Sequence, residues 1–316
     1  MLSYSVEDDD GVTDLQTAPA PPRVPIAART AAAVVLTVVL WASAFVAIRD
    51  LGHTLSPAPM ALARLAVAAA ALTLLVLFRR RRTPIVLPPR RQLLLISVYA
   101  VLWLAGYTVA LNAAERHVDA GTAALLVNIA PLLVAVAAGK VLGEGYSRPL
   151  IIGSVVAMGG VAVIAMGSDS QRDWLGIVLC VLAALLYAAG VLVQKLTLRS
   201  VDGLTAIWLG CVIGTVALLP WAPQLVAELR VAPAGAVLGV VYLGLFPTAI
   251  GFTAWAYALR RMDAGRLSAT TYAVPAVSVL LSWLLLAEVP TVYGLAGGAI
   301  CLAGVAIARR RPAVSR

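Results

Sequence analysis

Charge is scarce in this chain. Only 12% of its 316 residues are charged and 61% are hydrophobic, whereas a soluble protein carries about a quarter charged residues. Lysine is confined to Lys140 and Lys195, histidine to His53 and His117, and cysteine to Cys180, Cys211 and Cys301. The histidines stand in short loops without a second His or Cys nearby. The cysteines fall singly inside apolar stretches, where they are expected to be core residues. Neither group has metal-ligand spacing or forms a disulfide framework. The chain also lacks an HExxH motif, a glycine-rich phosphate cradle and paired intramembrane acids, so the apparatus of a membrane-embedded enzyme is missing. No cofactor and no metal are expected.

What the chain has instead is long apolar runs, with a mean hydropathy of +0.94. A run of about 20 residues crosses a ~30 Å hydrocarbon core. Lipid offers no partner to backbone polar groups, so spans are helices or closed barrels, and continuous apolar runs select helices. The expected fold is an all-α polytopic membrane protein with ten transmembrane helices. They fall near 30–48, 58–78, 92–113, 120–139, 149–167, 174–195, 203–220, 235–258, 266–287 and 291–308. Residues 1–28 differ. Glu7, Asp8, Asp9, Asp10 and Asp14 precede Pro19, Pro21, Pro22 and Pro25, which predicts a disordered tail. The tail lacks the basic start and apolar core of a cleaved signal peptide, so the first span is expected to act as an uncleaved insertion signal.

The net charge of +9 lies in short loops between apolar runs. That placement argues against a nucleic-acid partner. With the N-terminus inside, the cytoplasmic segments collect nineteen Lys and Arg, including Arg79, Arg80, Arg81, Arg82 and the basic tail 309–316. The external segments keep Arg49, Arg116, Arg172 and Arg230. The positive-inside rule therefore places both termini in the cytoplasm of a multi-pass protein of the cell membrane.

An internal repeat organises the spans. Asp119-Ala120-Gly121 recurs 144 residues on as Asp263-Ala264-Gly265. At the same offset Pro131 matches Pro275, Glu144 matches Glu288, Gly153 matches Gly297, and Gly160-Val161-Ala162 matches Gly304-Val305-Ala306. Gly106-Tyr107-Thr108 recurs as Gly251-Phe252-Thr253, one residue out of step. Trp41 and Arg49 are echoed by Tyr187 and Lys195, each pair eight apart. Each copy holds five predicted spans, at 29–167 and 168–308. An odd number makes the second copy enter the membrane from the opposite face, which is an inverted repeat of the kind secondary transporters use.

The run from Trp41 through Ser43 and Phe45 to Arg49, the Arg64-Leu65 pair, and the segments Pro131 to Glu144 and Pro275 to Glu288 carry a family resemblance. Over residues 30 to 308 the chain resembles the EamA-like branch of the drug/metabolite transporter superfamily. In that family the second span often reads Arg-Phe, from which Arg64-Leu65 departs mildly. The resemblance implies export or exchange of small polar metabolites such as amino acids. It also implies a cavity between two five-helix halves, lined by the first, third and fourth helices of each.

Several residues are candidates for that cavity. Pro131 and Pro275, inside predicted spans, free the carbonyls of Val127 and Thr271 and could act as gating kinks, or serve packing alone. Asn128 and Tyr272, with Thr271 beside the latter, are repeat-related polar groups that could face substrate or bond to a neighbouring helix. Trp41, Ser43 and Tyr187 would meet near the centre under a two-fold relation. Thr108, Asn112, Thr253 and Trp255 lie on the third span of each half. Arg64 is the one charge well inside a span, which costs at least ~2.5 kcal/mol near the bilayer centre unless it has a partner. A structural role is favoured for it over anion binding. Glu144 and Glu288 end the fourth spans against the helix dipole, so another group must hold them, and a latch is favoured over proton coupling. The glycines at 153, 159, 160, 294, 297, 298 and 304 suit close backbone approach, either within one chain or between two. Monomer and homodimer both stand.

A secondary transporter of a small molecule is the expected function. A membrane enzyme or a non-transporting receptor fits the repeat poorly. A nucleotide-sugar or phosphorylated-metabolite exchanger would need several cavity cations, and only Arg64 and Lys195 are on offer. A neutral, zwitterionic or hydrophobic substrate, amino-acid-like or a drug, fits better.

Overall fold

The computed structural model describes residues 26–80, 87–117, 126–145, 147–166, 174–286, 291–308 and 310. Among them every regular element is helical. In chain order these are α1 (Ile26–Leu51), α2 (Pro57–Arg80), α3 (Arg90–Ala114) and α4 (Ala130–Leu142). Then come α5 (Arg148–Met166), α6 (Trp174–Thr197), α7 (Gly203–Val231) and α8 (Ala234–Leu259). A short α9 (Ala264–Ala269) leads through a 3-10 turn at Thr270–Tyr272 into α10 (Ala273–Leu286), and α11 (Val292–Ala308) follows. Among the described residues six helices, α1, α2, α3, α6, α7 and α8, are long and apolar enough to cross a membrane. Leu74, Phe78, Val155, Leu185, Leu238 and Leu284 stand exposed on the outside. An apolar surface of this kind needs lipid as its solvent. The molecule is a multi-pass membrane protein.

The contacts repeat between halves. α1 packs against α8 and α10, and α6 packs against α3 and α4. The pairs α2 with α7 and α5 with α11 join the halves edge to edge. Without a hydrophobic drive between helices in lipid, association rests on close packing, and α5–α11 is packed through its glycines. A Cβ on Gly153 would lie 2.5 Å from the Gly304 carbonyl, and one on Gly297 would lie 2.5 Å from the Gly160 carbonyl. These two contacts exchange under the 144-residue offset. Gly294 and Gly298 face Val279 and Ala276 of α10, so that spaced pair packs within the chain.

Two helices widen at matching places. α3 carries a π segment at Ala100–Tyr107 and α8 one at Gly244–Ile250, again 144 residues apart. Such widenings concentrate at functional sites. In α8 the cause is local: Pro247 has no N–H for the Leu243 carbonyl, and the Thr248 hydroxyl donates to that carbonyl instead (2.7 Å).

Candidate functional site

A partly open cavity of about 80 Å³ lies between the halves, toward the C-terminal end of α1. From the first half come Trp41, Phe45 and Ile48 of α1, Arg64 of α2, Trp103, Tyr107, Thr108 and Asn112 of α3, and Asn128 and Pro131 at the start of α4. The second half contributes Tyr187 of α6, Phe252 of α8, and Thr271 and Val274 around the start of α10.

The wall nearest the N-terminal end of α1 is aromatic. Trp41 lies 5.2 Å from Phe252 and 4.9 Å from Trp255 by ring centroids. Trp103 stands centrally, 6.0 Å from Trp41, 5.0 Å from Phe252 and 5.1 Å from Tyr187. Tyr107 extends the layer at 5.7 Å from Tyr187. Rings from α1, α3, α6 and α8 thus close the cavity in tilted and edge-on contacts, the arrangements that ring quadrupoles favour. Two glycines seat the tryptophans: a Cβ on Gly190 would lie 2.5 Å from Cβ of Trp103, and one on Gly251 3.2 Å from Nε1 of Trp41.

Polar groups on this lining are left without partners. The Trp41 indole N–H, the Asn112 Oδ1 and the Tyr187 hydroxyl are buried and make no hydrogen bond. The Tyr187 hydroxyl stands near Thr271 and Ser268 but in bonding geometry with neither. Buried polar groups are normally satisfied, so a cavity with three unsatisfied ones is prepared for water or a ligand. Arg64, 9% exposed, donates from Nε to the Thr248 hydroxyl at 2.5 Å.

The model for the EamA-like transporter family matches this chain twice, over residues 29–166 and 174–310. The chain belongs to the EamA-like transporter family. It is accordingly a transporter and not an enzyme. A probable terminal-alkyne amino-acid exporter from Streptantibioticus cattleyicolor is 39% identical over 88% of this chain and 93% of its own length. The uncharacterised transporter YdfC of Bacillus subtilis is 32% identical over 85% and 87% respectively. A crystal structure with 18% identity superposes with a TM-score of 0.73 over 89% of this chain and 97% of that one, a likeness of fold alone.

Within the transporter, Trp41, Thr108, Asn112, Asn128, Pro131, Tyr187 and Thr271 line the cavity. The other residues expected there do not. Ser43 bonds Leu40 O (2.9 Å) and the Tyr242 hydroxyl (2.6 Å) on the α8 side. Thr253 donates back to Ala249 O within α8 at 2.6 Å. Trp255 is 1% exposed behind Trp41. Tyr272 is fully buried with Ala157, Ala276 and Cys301 on the α5–α11 side. Its 3-10 turn advances 120° per residue instead of 100°, so Thr271 takes the cavity position. Trp41 and Tyr187 do not meet directly, because Trp103 stands between them. Neither proline lies in a helix interior. Pro131 opens the regular part of α4, and Pro275 sits in the first turn of α10 behind the 3-10 break. A missing N–H is best tolerated at a helix start.

Arg64, expected in a structural role, is on the cavity wall. Glu144 lies at the far end from the cavity, and Glu288 is outside the described residues. Phe45, Trp103, Tyr107 and Phe252 are lining residues that the sequence reading passed over as site candidates. For two of them a signal existed: Tyr107 and Phe252 are the centres of the repeated Gly-aromatic-Thr triplets.

Proposed function

We propose that this transporter exports a small amino-acid-like metabolite with an apolar side chain, by alternating access between two inverted five-helix repeats of ten spans in all. One observation carries the reading. The cavity is shared by both halves, floored by aromatic rings, and lined among the described residues by one cation and no carboxylate. Rings accept an apolar side chain by stacking and area burial, while Asn112, Thr271, Tyr187 and Arg64 supply polar contacts for a small head group. Phosphorylated substrates need several convergent cations, and Arg64 stands alone on this lining. A relative named as a probable terminal-alkyne amino-acid exporter is consistent with a slender unsaturated side chain. The basic loops orient the cavity toward the outside, with both termini cytoplasmic.

The test is counterflow in proteoliposomes loaded with L-propargylglycine, with L-phenylalanine and a nucleotide sugar as parallel solutes. Exchange of the amino acids and none of the nucleotide sugar is expected. Exchange of the nucleotide sugar alone would replace this reading with a phosphorylated-metabolite exchanger.

A further inference from the structure

We propose that Arg64 is the residue that reads the substrate's carboxylate, with the Asn112 amide oxygen accepting from its ammonium group. This rests on the reading of the cavity as a site for amino-acid-like compounds. A guanidinium has five N–H donors in a fixed fork. Arg64 uses the Nε donor on the Thr248 hydroxyl, and among the described residues no carboxylate pairs with it. The Thr248 hydrogen is already committed to the Leu243 carbonyl, so its oxygen is left to accept, which fixes the plane of the fork. The helices come close enough for this bond because Gly244 has no side chain: a Cβ there would lie 2.5 Å from Cβ of Val67 and 2.9 Å from the Arg64 carbonyl. The side chain is thus anchored at Nε while its terminal nitrogens are left for the cavity that Arg64 lines. A carboxylate is the planar anion that two parallel N–H donors match.

Asn112 is the second, independent observation. It is 5% exposed and lines the same cavity. Its Nδ2 donates to the Pro57 carbonyl at 3.1 Å, which sets the amide orientation because that partner can only accept. Oδ1 is then a buried acceptor without a donor. A cation with N–H donors completes it. The cavity therefore presents unused donors and an unused acceptor above an aromatic floor, the complement of a zwitterionic head on an apolar side chain. With no acid on the described lining, the ammonium group is held only by a neutral acceptor, and the carboxylate makes the larger contribution to selectivity.

The experiment is thermal stabilisation of the purified wild-type transporter and of Arg64→Lys, Arg64→Gln and Asn112→Ala. Four probes are compared: L-propargylglycine, its carboxamide, 4-pentynoic acid and 3-butynylamine. In the wild type the two acids are expected to bind about ten- to a hundredfold tighter than the amide and the amine, the range for hydrogen bonds to a charged group. Arg64→Lys should reduce that acid-over-amide ratio and Arg64→Gln should abolish it. Asn112→Ala should weaken propargylglycine and leave 4-pentynoic acid unchanged. A structural role for Arg64 would lower the melting point without moving the ratio. Amide binding as tight as acid binding in the wild type overturns the proposal with no variant needed. So does a ratio unchanged in Arg64→Lys, while amino-acid binding itself would leave the transport reading intact. Binding of none of the four probes would remove the amino-acid reading and this proposal with it.

Discussion

Lys195 and Glu144 meet across the two halves at the end of the molecule away from the cavity, with Nζ 3.8 Å from Oε1. Lys195 also donates to the carbonyls of Leu259 and Met262 where α8 ends. The second Glu144 oxygen accepts from the Gly265 amide at 3.3 Å. Gly143, with φ 69°, ends α4 and turns the chain so that Glu144 comes back over Ala138, a left-handed stop that favours glycine. An acid at a helix C-terminus opposes the dipole, and here the ammonium group and the amide offset it. The clasp joins the ends of α4, α6 and α8 about 10 Å beyond the aromatic floor, seven residues of helical rise from Phe252 to Leu259.

If that clasp holds its end shut, Lys195→Ala should open it. A cysteine introduced at the fully buried Val191, one turn toward the cavity, reports this by maleimide labelling. The rate should rise about tenfold, the population change that roughly 1.4 kcal/mol produces. An unchanged rate would leave the clasp with no part in gating.

The glycine seam between α5 and α11 should tolerate no side chain. Gly304→Val places a Cβ 2.5 Å from the Ala157 amide and 2.6 Å from the Gly153 carbonyl, and backbone cannot yield as a flexible side chain does. A loss of at least about 3 kcal/mol, or of folded yield, is expected. Gly159→Ala, with open space around its Cβ, should stay within about 0.5 kcal/mol of the parent. Melting curves in detergent compare the two.

Trp103→Ala removes the ring that links Trp41, Phe252 and Tyr187. It should cost about 3–5 kcal/mol by the usual scale for aromatic truncation and abolish counterflow. Trp41→Phe keeps a six-membered apolar ring but loses the pyrrole part of the indole with its unpartnered N–H, so the fold should persist while affinity for polar substrates falls.

Thr248→Val removes both the acceptor for Arg64 and the donor to Leu243. A destabilisation of about 1–3 kcal/mol is expected from the unsatisfied groups, and Thr248→Ser should recover most of it. Equal melting points for the two variants would mean that the bond between α2 and α8 contributes nothing.

Local residue choice was enough to anticipate the helical fold and the internal duplication. Lipid forces backbone pairing inside each span, and a copied segment keeps its prolines, acids and glycines in register. The glycines 153, 160, 297 and 304 announced close approach. Which helix they approached was a matter of tertiary packing, because a helix presents the same small-residue stripe to any neighbour.

The site was half legible. Trp41, Asn112, Asn128 and Tyr187 stood out as polar or aromatic groups in apolar runs. Thr253 and Tyr272 were misjudged because facing depends on the turn taken. A π segment in α8 and a 3-10 turn before α10 shift the angle per residue, and one residue at 100° is enough to turn a side chain away. Phe252 and Thr271 line the cavity, where Thr253 and Tyr272 were expected to join Thr271.

The sequence by itself determined that this chain is a duplicated, helical membrane transporter, since hydropathy, loop charge and repeat offset are properties of residue order. Only the tertiary structure decided that Arg64 stands on the cavity wall bonded to Thr248 and that Trp103 stands between Trp41 and Tyr187. Those relations join helices distant in sequence, and their distances follow from how closely Gly244 and Gly190 let the backbones pack.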